Sequence, residues 1–240
     1  MSRTVTVITL LSFGLRLLIG EILYMVSALN LAFLSSLHLP GGFWQLGPDA
    51  ASYDEAGRQI AALISSGGAQ LSRIDPFSWP VGVLYLIFGQ NPSTVLVLNA
   101  CLAAVCVPLL YTASNALGLQ ARGSLIVAAV AAFWPSSFAW SGQELKDPLE
   151  WFGVCAAVTG AAMLVSKRRE GSWPHLLASG SLVLVGELIA TSLRGYSAPL
   201  FIAAVLLALA VFLLANARRV KVVLAPTVIL LLALGIGALP

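Results

Sequence analysis

Six stretches of this chain come close to, or exceed, twenty mostly apolar residues: residues 5–37, 92–115, 148–166, 174–193, 198–215 and 222–238. That is the length of helix needed to cross the roughly 30 Å hydrocarbon core of a bilayer. A seventh stretch, 123–135, is shorter but tightly apolar. Of the 240 residues 59% are hydrophobic and 10% charged, where a soluble domain carries about 25% charged residues. So much apolar surface cannot be hidden inside one water-soluble globule, and the reading is a single all-α polytopic membrane domain over 1–240. The same balance excludes a disordered chain, a disulfide-stapled secreted module and a nucleic-acid partner, because 13 Lys plus Arg against 10 Asp plus Glu form no basic face. Cys101, Cys106 and Cys155 all fall within apolar segments and read as small buried hydrophobes.

The orientation turns on Pro80 to Phe88, which is apolar but would span only about 15 Å as a helix. If it does not cross, Arg3, Arg122, Lys167, Arg168, Arg169, Arg218, Arg219 and Lys221 are cytoplasmic, and Arg58, Arg73, Lys146 and Arg194 lie outside. If it does cross, every later loop flips and most cations face outward. The positive-inside rule favours the first arrangement. It predicts seven spans, a cytoplasmic N-terminus in a cell membrane, and an outer loop over 38–91 holding two surface helices. The first of these has a capping-box start, Ser52-Tyr53-Asp54-Glu55, followed by Ala56, Ile60, Leu63 and Ile64 at helical spacing. The second, about Trp79 to Phe88, is bracketed by Asp75-Pro76 and Gly89-Gln90-Asn91-Pro92. The first apolar run is too long for a cleavable signal.

With that topology most of the acids lie outside: Asp49, Asp54, Glu55, Asp75, Glu144 and Asp147, against Glu170 inside. Asp49 follows a Gly47-Pro48 turn ahead of the capping box, so its carboxylate is predicted to be free to face a cleft. A second polar loop, 135–147, carries Glu144, Lys146 and Asp147. Asp147 precedes Pro148 at a helix start, where a carboxylate meets the positive helix end. It is either that cap alone or part of an acidic site. Arg16, Glu21 and Glu187 fall within spans, where charge is costly and usually paired. Arg16 with Glu187 is the pairing predicted. His38 and His175 are isolated, with no second ligand at zinc spacing.

These elements carry a resemblance. A first span with an internal Arg16, a Pro48-Asp49 and Tyr53 element with Gly57 where Ala is usual, and a later loop of Pro135, Ser136, Ser141, Lys146, Asp147 and Pro148 resemble the membrane glycosyltransferases of the GT-C superfamily. The likeness is closest to the branch of dolichyl-phosphate-mannose protein mannosyltransferases and aminoarabinose transferases, and covers about the first 170 residues. Relatives usually continue beyond seven spans into further spans or an outer domain.

The resemblance implies a seven-span core whose first outer loop carries two surface helices. It further implies transfer of a sugar, with inversion, from a polyprenyl-phosphate donor to a lipid, glycan or protein acceptor on the non-cytoplasmic face. Such chemistry needs a carboxylate to take the acceptor's proton and positive charge beside the departing phosphate. Asp49 matches the family's first-loop aspartate and is the expected general base, with Glu144 and Asp147 positioning the acceptor or supporting that base. Lys146, Arg73 and Arg194 are the cations available to a lipid phosphate, with Tyr53 and Tyr196 beside them. The spacing demands no cofactor, and the resemblance allows a divalent cation between Asp49 and the second acidic loop, as in oligosaccharyltransferase relatives. The competing readings are a transporter or lipid flippase, which would place polar groups near the midplane, and a non-catalytic membrane subunit of a glycan-assembly complex.

Overall fold

The computed structural model of the protein describes residues 2–66, 74–166, 173–197, 199 and 203. It is mostly helical, in the order α1 (Arg3–Ala28), a two-stranded hairpin β1 (His38–Leu39) and β2 (Phe43–Trp44), α2 (Asp49–Ser66), α3 (Ser78–Phe88), α4 (Pro92–Ala116), α5 (Ala121–Phe133), α6 (Pro135–Ser141), α7 (Asp147–Val165) and α8 (Trp173–Leu193). Among the described residues α1, α4, α7 and α8 are long and apolar enough to cross a bilayer. A fifth span is available if α5 and α6, which meet at a 44° bend, count as one. This is a helical membrane protein. The predicted spans at 198–215 and 222–238 lie outside the described residues.

Helix ends follow local chemistry that hydropathy does not register. The apolar run predicted over 5–37 stops being helical at Ala28, because Asn30 adopts a left-handed conformation (φ 50°). Its amide then donates to Ser27 O and that of Leu31 to Val26 O, both at 3.0 Å, satisfying carbonyls a helix end leaves open. Asn tolerates that conformation better than most side chains. Gly118 (φ 93°) ends α4 in the same way, with Leu119 donating to Ser114 O. The start of α2 differs from expectation. The helix begins at Asp49, so Ser52 is already inside its first turn and donates to Asp49 O, while Glu55 accepts from Gln59. The predicted capping box is therefore not formed.

The described residues divide into two compact units, one containing residues up to 105 with 132–149, the other 106–131 with the remainder from 150. In the first, α1 holds the hairpin: Ser27 donates to Phe43 O (2.7 Å) and Trp44 Nε1 to Leu23 O (3.0 Å). His38 opposes Trp44 and Leu39 opposes Phe43 across an antiparallel turn through Gly41 and Gly42. The helices α2 and α3 pack as a hairpin through glycine. A Cβ on Gly57 would overlap Val81, and one on Gly82 would overlap Ile60. The inward face of α2 is Ala50, Tyr53, Asp54, Gly57, Ile60 and Ala61, rather than the predicted Ala56, Ile60, Leu63 and Ile64 stripe, of which Ile64 is exposed.

Also in the first unit, Arg16 is buried against the break between α5 and α6. Pro135 lacks the amide that would continue the α5 ladder, leaving carbonyls open. Arg16 Nη2 donates to Ala132 O (3.0 Å) and Ser137 Oγ (2.7 Å), and Nη1 to Ser137 O (2.6 Å) and Ser141 Oγ (3.0 Å). Its Nε reaches Ser12 Oγ, and the guanidinium lies 4.3 Å from the Phe138 ring centroid. Carbonyl and hydroxyl oxygens thus compensate this cation, a source of partners the predicted Arg16–Glu187 pairing had not considered. Glu21 accepts from Ser93 Oγ (2.9 Å).

In the second unit α7 and α8 meet through small residues. Gly153 and Gly160 face Gly186, Ser179 and Val183 so closely that a Cβ on either would press on backbone of α8. Glu187 is buried in α8, and its Oε2 has no hydrogen-bond partner among the described residues.

Candidate functional site

The polar groups of the first unit converge where α2, α3 and the loop at 142–146 meet. On α2, Asp54 and Arg58 stand one turn apart, which puts them side by side. Their contact is a two-pronged ion pair, Arg58 Nε to Asp54 Oδ2 at 2.9 Å and Nη2 to Oδ1 at 3.1 Å. From α3 the hydroxyl of Tyr85 lies 2.5 Å from Asp54 Oδ1 and 3.1 Å from Glu144 Oε2. Tyr85 is 2% and Glu144 1% exposed, so these groups have exchanged water for one another. The Gly57–Gly82 approach brings α3 close enough for Tyr85 to reach across.

The loop is held from two other sides. Asn99 of α4 donates to the carbonyls of Gln143 (2.7 Å) and Leu145 (3.1 Å), fixing the backbone on either side of Glu144. Lys146 Nζ pairs with Asp75 Oδ2 at 2.8 Å, while Asp75 Oδ1 accepts the amide of Phe77 at the start of α3. The Tyr53 ring packs edge-on against Phe77 (5.2 Å between centroids), with Lys146 Nζ 5.7 Å from its own centroid.

Burial sets the protonation here. It pushes the Glu144 carboxyl up to about 9, helped by the neighbouring negative charge of Asp54 and opposed by Tyr85 and Arg58. It also raises the Tyr85 phenol, as do the charges of Glu144 and Asp54. The hydrogen bond to Asp54 raises the Arg58 guanidinium and keeps that pair charged. For Lys146 burial works the other way, but the Asp75 and Tyr53 hydrogen bonds outweigh it and the ammonium is stabilised. Burial raises the Tyr53 phenol. The result is a neutral acid, Glu144, beside an ion pair.

Of the residues singled out from sequence, Lys146 and Tyr53 lie against each other, while Glu144 joins Asp54 and Tyr85 instead. Asp49 is exposed at the first position of α2, one turn before Tyr53, and is not a member of the buried cluster. Asp147 is half-buried as the first residue of α7. Arg73 lies outside the described residues. Arg194 belongs to the second unit, where its Nε pairs with Glu150 Oε2 at 2.7 Å and its Nη1 donates to the Tyr196 hydroxyl at 2.6 Å. Lys146 and Arg194 are therefore both already matched by carboxylates, so an anion would have to compete for them.

Asp54, Arg58, Asp75, Tyr85 and Asn99 were not singled out from sequence as site residues. The spacing of Asp54 and Arg58 was a usable signal, hidden by reading 52–55 as a cap. Nothing local marks Tyr85 or Asn99, which sit in apolar helices and acquire a role only from what packs on them. Among the described residues no three His, Cys, Asp or Glu side chains are grouped to hold a metal ion. Comparison of the chain with protein-family models, curated proteins and solved structures found no match.

Proposed function

We propose that this protein is a membrane glycosyltransferase of the GT-C type, transferring a sugar from a polyprenyl-phosphate donor to an acceptor on the non-cytoplasmic face. In this reading the chain has seven spans, α2 and α3 lie at the outer surface, and the loop at 142–146 faces the same side. The observation that carries it is the gathering of Asp54, Tyr85 and Glu144 from three separate segments into one buried polar cluster. Such a cluster is costly to bury in a membrane protein that needs only to be stable. Asp49, exposed at the mouth of α2, is the general base, and Asp147 supports the acceptor.

The test is a transfer assay with a panel of polyprenyl-phosphate sugars on the detergent-solubilised protein. Asp49→Asn is expected to leave the protein folded and to lower transfer by roughly 10²-fold or more. Normal transfer by that variant removes Asp49 from its role. The competing transporter or flippase reading draws on Glu187, a buried carboxyl within α8 with an unsatisfied oxygen. It predicts substrate-dependent movement across proteoliposomes that Glu187→Gln abolishes and Asp49→Asn does not.

A further inference from the structure

The cluster has an unfilled end. The Tyr85 hydroxyl has one proton but two carboxyl neighbours, so a second proton is required for both contacts to be hydrogen bonds. Asp54 is held as an anion by the two-pronged contact with Arg58. The extra proton therefore belongs to Glu144, whose Oε2 donates to the Tyr85 oxygen while Tyr85 donates to Asp54. That assignment leaves Glu144 Oε1 as a carbonyl-type acceptor, and this atom is buried with no partner. Gln143 Oε1 is a second buried acceptor in the same condition. An unmet buried acceptor costs about 1–3 kcal/mol, so two on adjacent residues call for a donor.

Both residues line one recess, with Tyr24, Phe43, Trp44, Pro92 and Leu96 making most of its remaining wall. Its cavity volume of about 10 Å³ leaves room for a single water-sized group. None of its lining residues is a cation, and the acid that faces it is neutral. That chemistry suits an uncharged donor and gives a phosphate nothing to bind.

We propose that this recess is a hydroxyl-binding site, in which Glu144, held as a neutral acid through Tyr85 and Asp54, accepts a hydrogen bond at Oε1 from one hydroxyl of a sugar or polyol. The site rests on the proposed transfer activity only for what kind of molecule delivers the hydroxyl: it is the acceptor's hydroxyl, bound apart from the lipid phosphate. Tyr85 and Asp54 are positioning residues, because they act through the proton they keep on Glu144.

Infrared spectroscopy of the full-length protein tests this without needing turnover. Wild type at pH 7 is expected to show the carbonyl stretch of a neutral carboxyl that disappears in Glu144→Gln, and methyl glucoside is expected to shift that stretch. Tyr85→Phe should move the same band with no ligand present, as Oε2 loses its acceptor. A Glu144-dependent band missing at pH 7, or one that methyl glucoside and glycerol both leave unmoved, overturns the site. Where transfer is measurable, Glu144→Leu is expected to raise the acceptor KM on the order of tenfold or more, and Glu144→Gln, which keeps a carbonyl acceptor, to recover part of that loss. An unchanged KM in Glu144→Leu overturns the site and leaves the transfer reading intact. A glycoside-sensitive band in a protein that transfers no sugar does the reverse.

Discussion

Glu144 is the residue whose state depends most on its surroundings. It is buried and faces Asp54, Tyr85 and Arg58, and its carboxyl is pushed up to about 9. A raised carboxyl means the folded protein keeps a proton that the unfolded chain has released. Stability is then greatest below the ordinary glutamate range and declines as pH rises toward about 9, by at most about 1.4 kcal/mol per pH unit. Thermal unfolding in detergent between those limits should show the decline. Glu144→Gln, an amide that cannot ionise, should flatten it, and an unchanged slope in that variant would mean another group is responsible. Arg16 is the second residue of this kind. It donates to hydroxyl and carbonyl oxygens around the Pro135 break. Arg16→Met keeps most of the apolar stem but strands those acceptors, and a loss of about 3 kcal/mol is expected, read as a lowered melting temperature or reduced yield of folded protein.

Among the elements, the α2–α3 hairpin decides whether the cluster exists. Replacing Gly57 by Ala would by helix propensity alone stabilise α2 by about 1 kcal/mol. The added Cβ meets Val81, however, and overpacking of this sort costs about 1–3 kcal/mol. The steric effect is expected to win, so Gly57→Ala should destabilise, and Val81→Ala in the same chain should recover part of the loss. Simple additivity of the two changes would show that the two helices do not press on each other there. The extent of α1 shows the opposite balance, in which one Asn30 ends a helix that hydropathy alone would have continued.

For the molecule as a whole, α4 is 25 residues long and apolar enough to cross a bilayer, so its two ends should label from opposite sides. Under the proposed seven-span topology, a cysteine at Gln90 should react with an impermeant maleimide in intact cells, and one at Gln120 only after permeabilisation, with the native cysteines removed from both. The reverse pattern would place α2 and α3 on the cytoplasmic side and dissolve the proposed outer-face chemistry. Hydropathy and turn residues were enough to locate α4, α7, α8 and the short α3, because those signals are local: an unbroken apolar run, a Pro, a Gly in a left-handed turn. The scarcity of charge drew attention to Glu144 and Lys146, whereas Tyr53 entered only through the resemblance. Sequence could not say that Lys146 would be matched by Asp75, or that Tyr85 would reach both Asp54 and Glu144. Those partners lie 31 to 71 residues apart along the chain, and hydrogen bonding over such separations is set by how helices pack. The amino-acid sequence by itself determined the solvent, the helical class and the short roll of residues able to carry chemistry. Tertiary structure alone decided which side chains pair with them, since that depends on burial and on distances of about 3 Å.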